Sequence, residues 1–344
     1  MIDLWNYLKS TQKPVVLYGM GNGADKIIAA AEKFNIKISG VFSSDGFVRK
    51  KTFHGFEVTD YAAAKERFGD MIVLLCFGTA LSDVIENIKK IASEQELYAP
   101  DVPVYGDVLF DMNYAVQNRA ELEKVYNLLA DETSKKVFEN AVYYKLTGKI
   151  EYLFECATTP DEVYQNILSL TNSETYFDLG AYRGDTVEEF LSHVTDYKKI
   201  VAVEPDRKTY NKLVDATEGL KNISNVNACV SDICGEVPFS MSGSRGSSLK
   251  SADTIARSVT VDYLSKTDVP TYIKMDIEGQ ELAAIKGAVG TISRHKPKML
   301  VSAYHRSEDL LTLPEAVLKI NPDYKIYLRH FDCLPCWDMA YYFV

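Results

Sequence analysis

The residues best placed to do chemistry lie in one stretch, Tyr272-Ile273-Lys274-Met275-Asp276-Ile277-Glu278-Gly279-Gln280-Glu281. Read with a strand's period of two, Lys274, Asp276 and Glu278 share one face, and Ile273, Met275 and Ile277 share the other. Three charges on one face of a buried strand are costly unless they pair or bind something. A Lys274–Asp276 ion pair that merely organises the sheet is one use for them. Asp276 and Glu278 fall nearest the strand's carboxyl end, where open α/β sheets bind ligands, and are expected to face a substrate. A second apolar run, Lys298 to Tyr304, ends in Tyr304-His305. If the two runs are neighbours, His305 sits across a cleft from Asp276, and a near-neutral imidazole there suits removal of a hydroxyl proton. The catalytic candidates are therefore His305, Asp276, Glu278 and Lys274. His54, His193, His295 and His330 have no comparable setting and are expected to be structural or exposed.

These groups need a second half-site, and Thr175 to Pro205 supplies its signature. An apolar run, Tyr176-Phe177, breaks at Asp178-Leu179-Gly180. A helix is expected from Gly184-Asp185-Thr186, and a second apolar run, Ile200 to Val203, ends on Glu204-Pro205. Strand, glycine turn, helix, strand and terminal acid form the first half of a nucleotide-type site. The glycines are spaced D-x-G-x-x-x-G rather than G-x-G-x-x-G, which removes the tight pyrophosphate turn and favours S-adenosylmethionine. Gly180 and Gly184 would admit close backbone approach, and Tyr182, Asp185 and Thr186 lie within or just after that turn. Asp178 is placed to receive the methionyl ammonium and Glu204 the ribose hydroxyls. A third strand, Asn222 to Val230, makes Asn227 and Asp232 candidates for the adenine edge, although either could be only a turn residue. The small, polar stretch Ser240 to Ser251 has the composition of a loop that closes over a ligand.

The first hundred residues carry a rival motif. Val15-Val16-Leu17-Tyr18 precedes Gly19-Met20-Gly21-Asn22-Gly23-Ala24, which fits G-x-G-x-x-A, and a helix continues through Ile27, Ile28 and Ala31. Strands over Ile36 to Phe42 and Met71 to Phe77 complete a parallel α/β pattern. A dinucleotide site wants an acid at the end of the second strand. Phe42-Ser43-Ser44 stands there instead, and Asp45 comes late. Tight strand–helix packing alone would require such glycines. The segment resembles the Rossmann-like N-terminal domains of bacterial sugar-modifying enzymes.

Between the two, residues 107–170 read as a helical bridge. Leu122, Val125, Leu128 and Leu129 fall on one helical face, Thr133-Ser134 opens another helix, and Pro160-Asp161-Glu162 has the form of a first turn. Tyr143, Tyr144, Tyr152 and Phe154 could line an acceptor pocket or simply pack. Near the other end, Cys333-Leu334-Pro335-Cys336 is a lone CxxC, expected to be a turn with two free thiols.

A length of 344 residues suggests two domains, and 25% charged residues with 47% hydrophobic ones is an ordinary globular composition. The net charge of −10 argues against nucleic acid and anionic membranes as partners. No run is long enough for a membrane span, and the first residues lack the form of a secretory signal. With six cysteines and no disulfide framework, a cytoplasmic location is expected. No oligomeric state follows from the sequence.

Taken together, FDLGAYRGDT, VAVEP, IKMDIEGQELAAIKGA, KPKMLVSAYH and YKIYLRHF resemble the FkbM family of methyltransferases, over about residues 130–344. The resemblance implies a mostly parallel, seven-stranded, Rossmann-like class I methyltransferase sheet in residues 171–344. It implies S-adenosylmethionine as methyl donor and a hydroxyl of a sugar, glycan or natural product as acceptor. Asp178, Gly180 and Gly184 match the family's cofactor turn, Glu204 its ribose acid, and Lys274, Asp276, Glu278 and Gly279 its KxDxEG segment. His305 matches its strand-end histidine. A divalent cation on Asp276 and Glu278 is compatible with this reading but not required by it. Residues 1–106 would then be an added, smaller α/β domain.

Overall fold

The computed structural model describes residues 2–44, 52–239 and 254–344. Asp45 and Ser240 to Ser251 lie outside them. The N-terminal sheet contains β1 (Val15–Tyr18), β2 (Ile38–Phe42), β3 (Thr52–Phe53), β4 (Phe56–Thr59), β5 (Ile72–Leu75) and β6 (Glu96–Tyr98), in the order β3-β4-β2-β1-β5-β6. All its pairings are parallel except the short β3–β4 hairpin. β1 and β5 are buried along their whole length, as expected of strands covered on both faces.

The second sheet has seven strands: β7 (Thr175–Leu179), β8 (Lys199–Val203), β9 (Ile223–Val226), β13 (Tyr272–Met275), β14 (Lys298–Ser302), β15 (Ile326–Arg329) and β16 (Ala340–Phe343). Their order is β15-β16-β14-β13-β7-β8-β9, and only β16 runs antiparallel to its neighbours. Sequence therefore runs outward in opposite directions from β7, which makes the β7/β13 boundary the topological switch point. A small sheet of β10 (Cys229–Val230), β11 (Gly235–Phe239) and β12 (Thr254–Val259) stands apart. The expected strand Asn222 to Val230 is thus two strands in different sheets, with Asn227 and Ala228 at the corner between them.

The intervening helices, including Met112–Gln117, Arg119–Leu128 and Glu132–Thr147, are helical as their periodicity requires. Val125 and Leu129 are buried, but Leu128 is 38% exposed, because its helix ends there and turns away. The segment is fastened to β15 rather than hung between domains. Buried Arg329 holds Asp131 at 2.7 Å and Glu162 at 3.0 Å, and donates to Ser134 Oγ at 2.8 Å. The two sheets also touch. Thr79 and Leu334 form an isolated antiparallel bridge, and Gly78 lies directly against the Trp337 ring. The Cys333–Cys336 turn, in which neither cysteine is in a disulfide, sits at this contact. Among the described residues no helix is long and apolar enough to cross a membrane.

Candidate active site

The glycine turn after β7 is dictated by the strand beside it. A Cβ on Gly180 would meet the Asp276 carbonyl oxygen at 1.9 Å, and the residue's φ of +86° lies in the left-handed region. Gly180 and Ala181 donate their N–H groups to Val203 O, so the turn is stitched to β8 as well. Tyr182 and Gly184 also have positive φ, after which the helix Asp185–His193 begins.

Glu204 closes this half of the cleft. It is buried, and its carboxylate accepts the Tyr182 N–H at 3.1 Å and the Asp206 N–H at 2.9 Å. Burial pushes its pKa up to about 7, against those two backbone donors. A carboxylate has about four lone-pair sites, so two more donors can still be accepted. Asn227 clips the turn that follows by donating to the Glu204 and Pro205 carbonyls, each at 2.9 Å. Asp232 is exposed and accepts from Ser231. Asp178 is fully buried: Thr186 donates to its Oδ2, and Lys274 Nζ stands 3.5 Å from its Oδ1. Lys274 is 4.0 Å from Asp276, so its nearer partner is the acid on β7 and not the one on its own strand.

The other half is built from side-chain charge. β13 and β14 are parallel neighbours, which meets the condition under which Asp276 and His305 were expected to face each other. His305 Nε2 lies 3.5 Å from Asp276 Oδ1 and 3.6 Å from Glu278 Oε2, and Nδ1 lies 2.9 Å from Glu281 Oε1. The period-two alternation does not reach Glu278, because the strand ends at Met275. Glu278 and Gly279 take φ of +56° and +84°, and that left-handed turn carries the Glu278 carboxylate back toward the imidazole.

His305 is not the near-neutral base that its position suggested. It is wholly buried; burial opposes its charge, but Glu281, Asp276 and Glu278 outweigh burial and raise its pKa to about 9. It is therefore an imidazolium at neutral pH, with no room to take a further proton. Burial raises Glu278 to about 7, partly offset by His305, which leaves this carboxylate the group poised to accept a proton. Burial also works against ionisation of Asp276, but Lys274 and His305 prevail and hold it below the usual carboxylate range.

Three contributors were not picked out from sequence. Glu281, only 1% exposed, braces the turn by accepting from Ile277 N, and Tyr304 donates to Asp276 at 3.1 Å. Both stood inside the motifs already singled out, and the acid four residues past Ile277 was a usable signal. Tyr105 comes from the connection after the N-terminal sheet. Its N–H donates to His305 O at 2.8 Å, and its ring lies 3.0 Å from where a Gly279 Cβ would be. No local pattern marked it. The aromatic set Tyr143, Tyr144, Tyr152 and Phe154 does not gather at this cleft: Tyr144 is core, Tyr143 stacks on Tyr152, and Phe154 lies under Lys89.

Residues 178–323 match the family model described as the methyltransferase FkbM domain. This span begins at the acid of the glycine turn and includes Glu204, the IKMDIEGQE turn and His305. Over these residues the chain is similar to the FkbM methyltransferases. A solved methyltransferase FkbM from Methylobacillus flagellatus KT has a similar fold, with a TM-score of 0.73 at 23% identity, over 96% of this chain and 90% of that one. The likeness thus takes in the N-terminal sheet, which is shared with that protein. Precorrin-6y C5,15-methyltransferase from Geobacter metallireducens GS-15 aligns at 13% identity and TM-score 0.35, over 53% of this chain and 84% of its own. Fibrillarin from Aeropyrum pernix, solved with S-adenosyl-L-methionine, aligns at 14% and 0.33, over 51% and 69%. Scores that low carry nothing over to this chain. No curated protein matches it.

Proposed function

We propose that the protein is an S-adenosylmethionine-dependent O-methyltransferase whose acceptor is a hydroxyl of a sugar, glycan or related natural product. The observation that carries this reading is the pairing of two unlike half-sites across the β7/β13 switch point. One half is a glycine turn with a buried strand-end acid; the other is a charged cluster able to take a hydroxyl proton.

The donor half has the features the cofactor needs. Asp178 Oδ1 is buried without a hydrogen bond, Gly180 leaves no room for a side chain, and Glu204 retains accepting capacity toward ribose hydroxyls. Tyr182, Asp185, Thr186 and Pro205 frame it, and Asn227 and Asp232 are its proposed adenine-side residues. When bound, the cofactor supplies a methyl group on a cationic sulfur, an already activated leaving group. The protein's task is then mainly to position the acceptor oxygen and receive its proton. Glu278 is the proposed base, Asp276 with Tyr304 orients the hydroxyl, and Lys274 balances the acids Asp178 and Asp276. His305 acts as a fixed charge that tunes Glu278.

Calorimetry tests the donor half: the wild type should bind S-adenosylmethionine and Glu204→Ala should not bind it as well. Unchanged affinity in that variant would remove the assignment. A screen of glycans and hydroxylated metabolites with labelled methyl donor tests the acceptor class, and labelling of an amine or carbon acceptor alone would refute it. An NAD-dependent role for the N-terminal glycine loop is disfavoured by Ser43, which stands where the ribose acid belongs.

A further inference from the structure

Three side chains in the acceptor half are arranged in a way that proton chemistry alone does not use. One donor atom each from Asp276, Glu281 and His305 lie within 4.8 Å of one another. Bonds of about 2.0–2.3 Å to a shared ion would close such a span. The three come from two strand ends, β13 and β14, and from the helix that starts at Glu281, so the backbone fixes their mutual positions.

Two observations independent of that clustering point to a ligand. His305 has 0% exposure, and its ring nitrogens meet Glu281 at 2.9 Å and Asp276 at 3.5 Å only as ion pairs, neither making a well-directed hydrogen bond. Glu281 Oε2 is equally buried and has no hydrogen-bond partner. Buried polar atoms left in this state cost about 1–3 kcal/mol each unless something satisfies them. The second observation is charge. Asp276, Glu278, Glu281 and Asp309 converge on His305; among the described residues Arg306, Lys274 (shared with Asp178), Lys26 toward Glu278 and Lys145 (paired with Asp101) toward Asp309 face them.

We propose that Asp276, Glu281 and His305 bind a divalent cation of the Mg²⁺/Mn²⁺ class, on which the acceptor hydroxyl rests. In the metal-free protein His305 carries a proton on both ring nitrogens. Binding the ion would release one of them to solvent, and the resulting imidazole nitrogen with two carboxylates forms a mixed donor set that suits a hard to borderline ion and leaves positions open for substrate oxygen. The bound hydroxyl would give its proton to Glu278, whose Oε2 is 3.6 Å from His305 Nε2. The alkoxide oxygen then forms the new C–O bond as the sulfur–methyl bond breaks, yielding a methyl ether and the neutral thioether. This inference rests on the methyltransferase reading for its chemical purpose, but not for the existence of the cation site.

Mn²⁺ is the probe, titrated into the full chain and followed by electron paramagnetic resonance and by calorimetry. The expected result is one tight Mn²⁺ per chain, displaced by Mg²⁺, with a rise in melting temperature that EDTA reverses. Asp276→Asn and His305→Gln should each weaken Mn²⁺ at least about tenfold while still binding S-adenosylmethionine, which also reports that they fold. A wild type that binds no divalent ion, or variants that bind Mn²⁺ as well as it does, would overturn the proposal. Mn²⁺ binding without any S-adenosylmethionine binding would instead sink the methyltransferase reading and leave the cation site standing.

Discussion

The molecule contains two parallel sheets with the same local construction at their first turn. In the N-terminal sheet a Cβ on Gly23 would meet Cys76 O at 2.1 Å; in the second sheet one on Gly180 would meet Asp276 O at 1.9 Å. Both glycines exist because a neighbouring strand's carbonyl occupies the space. The sheets differ in what stands at the ends of the strands. β2 leads to Ser43 and β5 to Cys76-Phe77-Gly78, with no charge among them; β8 leads to Glu204 and β13 to Asp276-Ile277-Glu278. Glycine spacing reports backbone packing, and strand-end acids report chemistry. A glycine motif without its acid is evidence for a fold alone.

Four experiments test that contrast. The largest effect belongs to the glycines themselves: Gly180→Ala adds a clash with backbone to a strained φ and should cost roughly 3–5 kcal/mol of stability. Gly23→Ala has the clash without the positive φ and should cost about 1–3 kcal/mol. Chemical denaturation of the two variants measures this, and two stable proteins would show that the close approaches relax. Next, turnover should fall at least about tenfold in Glu278→Gln with cofactor affinity unchanged. Single-turnover kinetics beside calorimetry would expose any other pattern.

Third, Glu204→Ala should weaken S-adenosylmethionine about ten- to a hundredfold, roughly 1–3 kcal/mol, while Ser43→Ala changes nothing. Equal losses at both positions would mean that the N-terminal sheet takes part in cofactor binding. The smallest effect is the pH dependence of cofactor affinity. Ionised Glu204 accepts the ribose hydroxyls, and its pKa in the free protein is about 7. Affinity should therefore be full above that value and fall, by at most about tenfold per unit, as pH drops through it. Calorimetry between about pH 6 and 8 should show this slope in the wild type and none in Glu204→Gln.

How much was legible in advance follows the same division. The apolar runs and the acids at their ends could be read because they are local signals; the strand order, and with it the meeting of Asp276 with His305, was expected only by resemblance to a known sheet. The protonation of His305 could not be read, because it depends on Glu281 and Glu278 arriving from a left-handed turn that the alternation did not foresee. Tyr105 was invisible for a different reason. It reaches His305 from 200 positions earlier in the chain, and nothing in its own neighbourhood announces that contact. The corner at Asn227 and Ala228, where one strand became two, was likewise set by tertiary pairing and not by propensity.

The place of β16 has a consequence for how the protein is made. Residues 340–343 fill an interior slot between β14 and β15, and Arg329 clasps acids 198 and 167 positions upstream. Until these residues have left the ribosome, β14 has an open edge and Asp131 and Glu162 lack their counter-charge. The second sheet of the nascent chain must therefore wait, partly assembled, for β16, and the long-range closure that follows favours slow folding and a need for protection from edge-to-edge association.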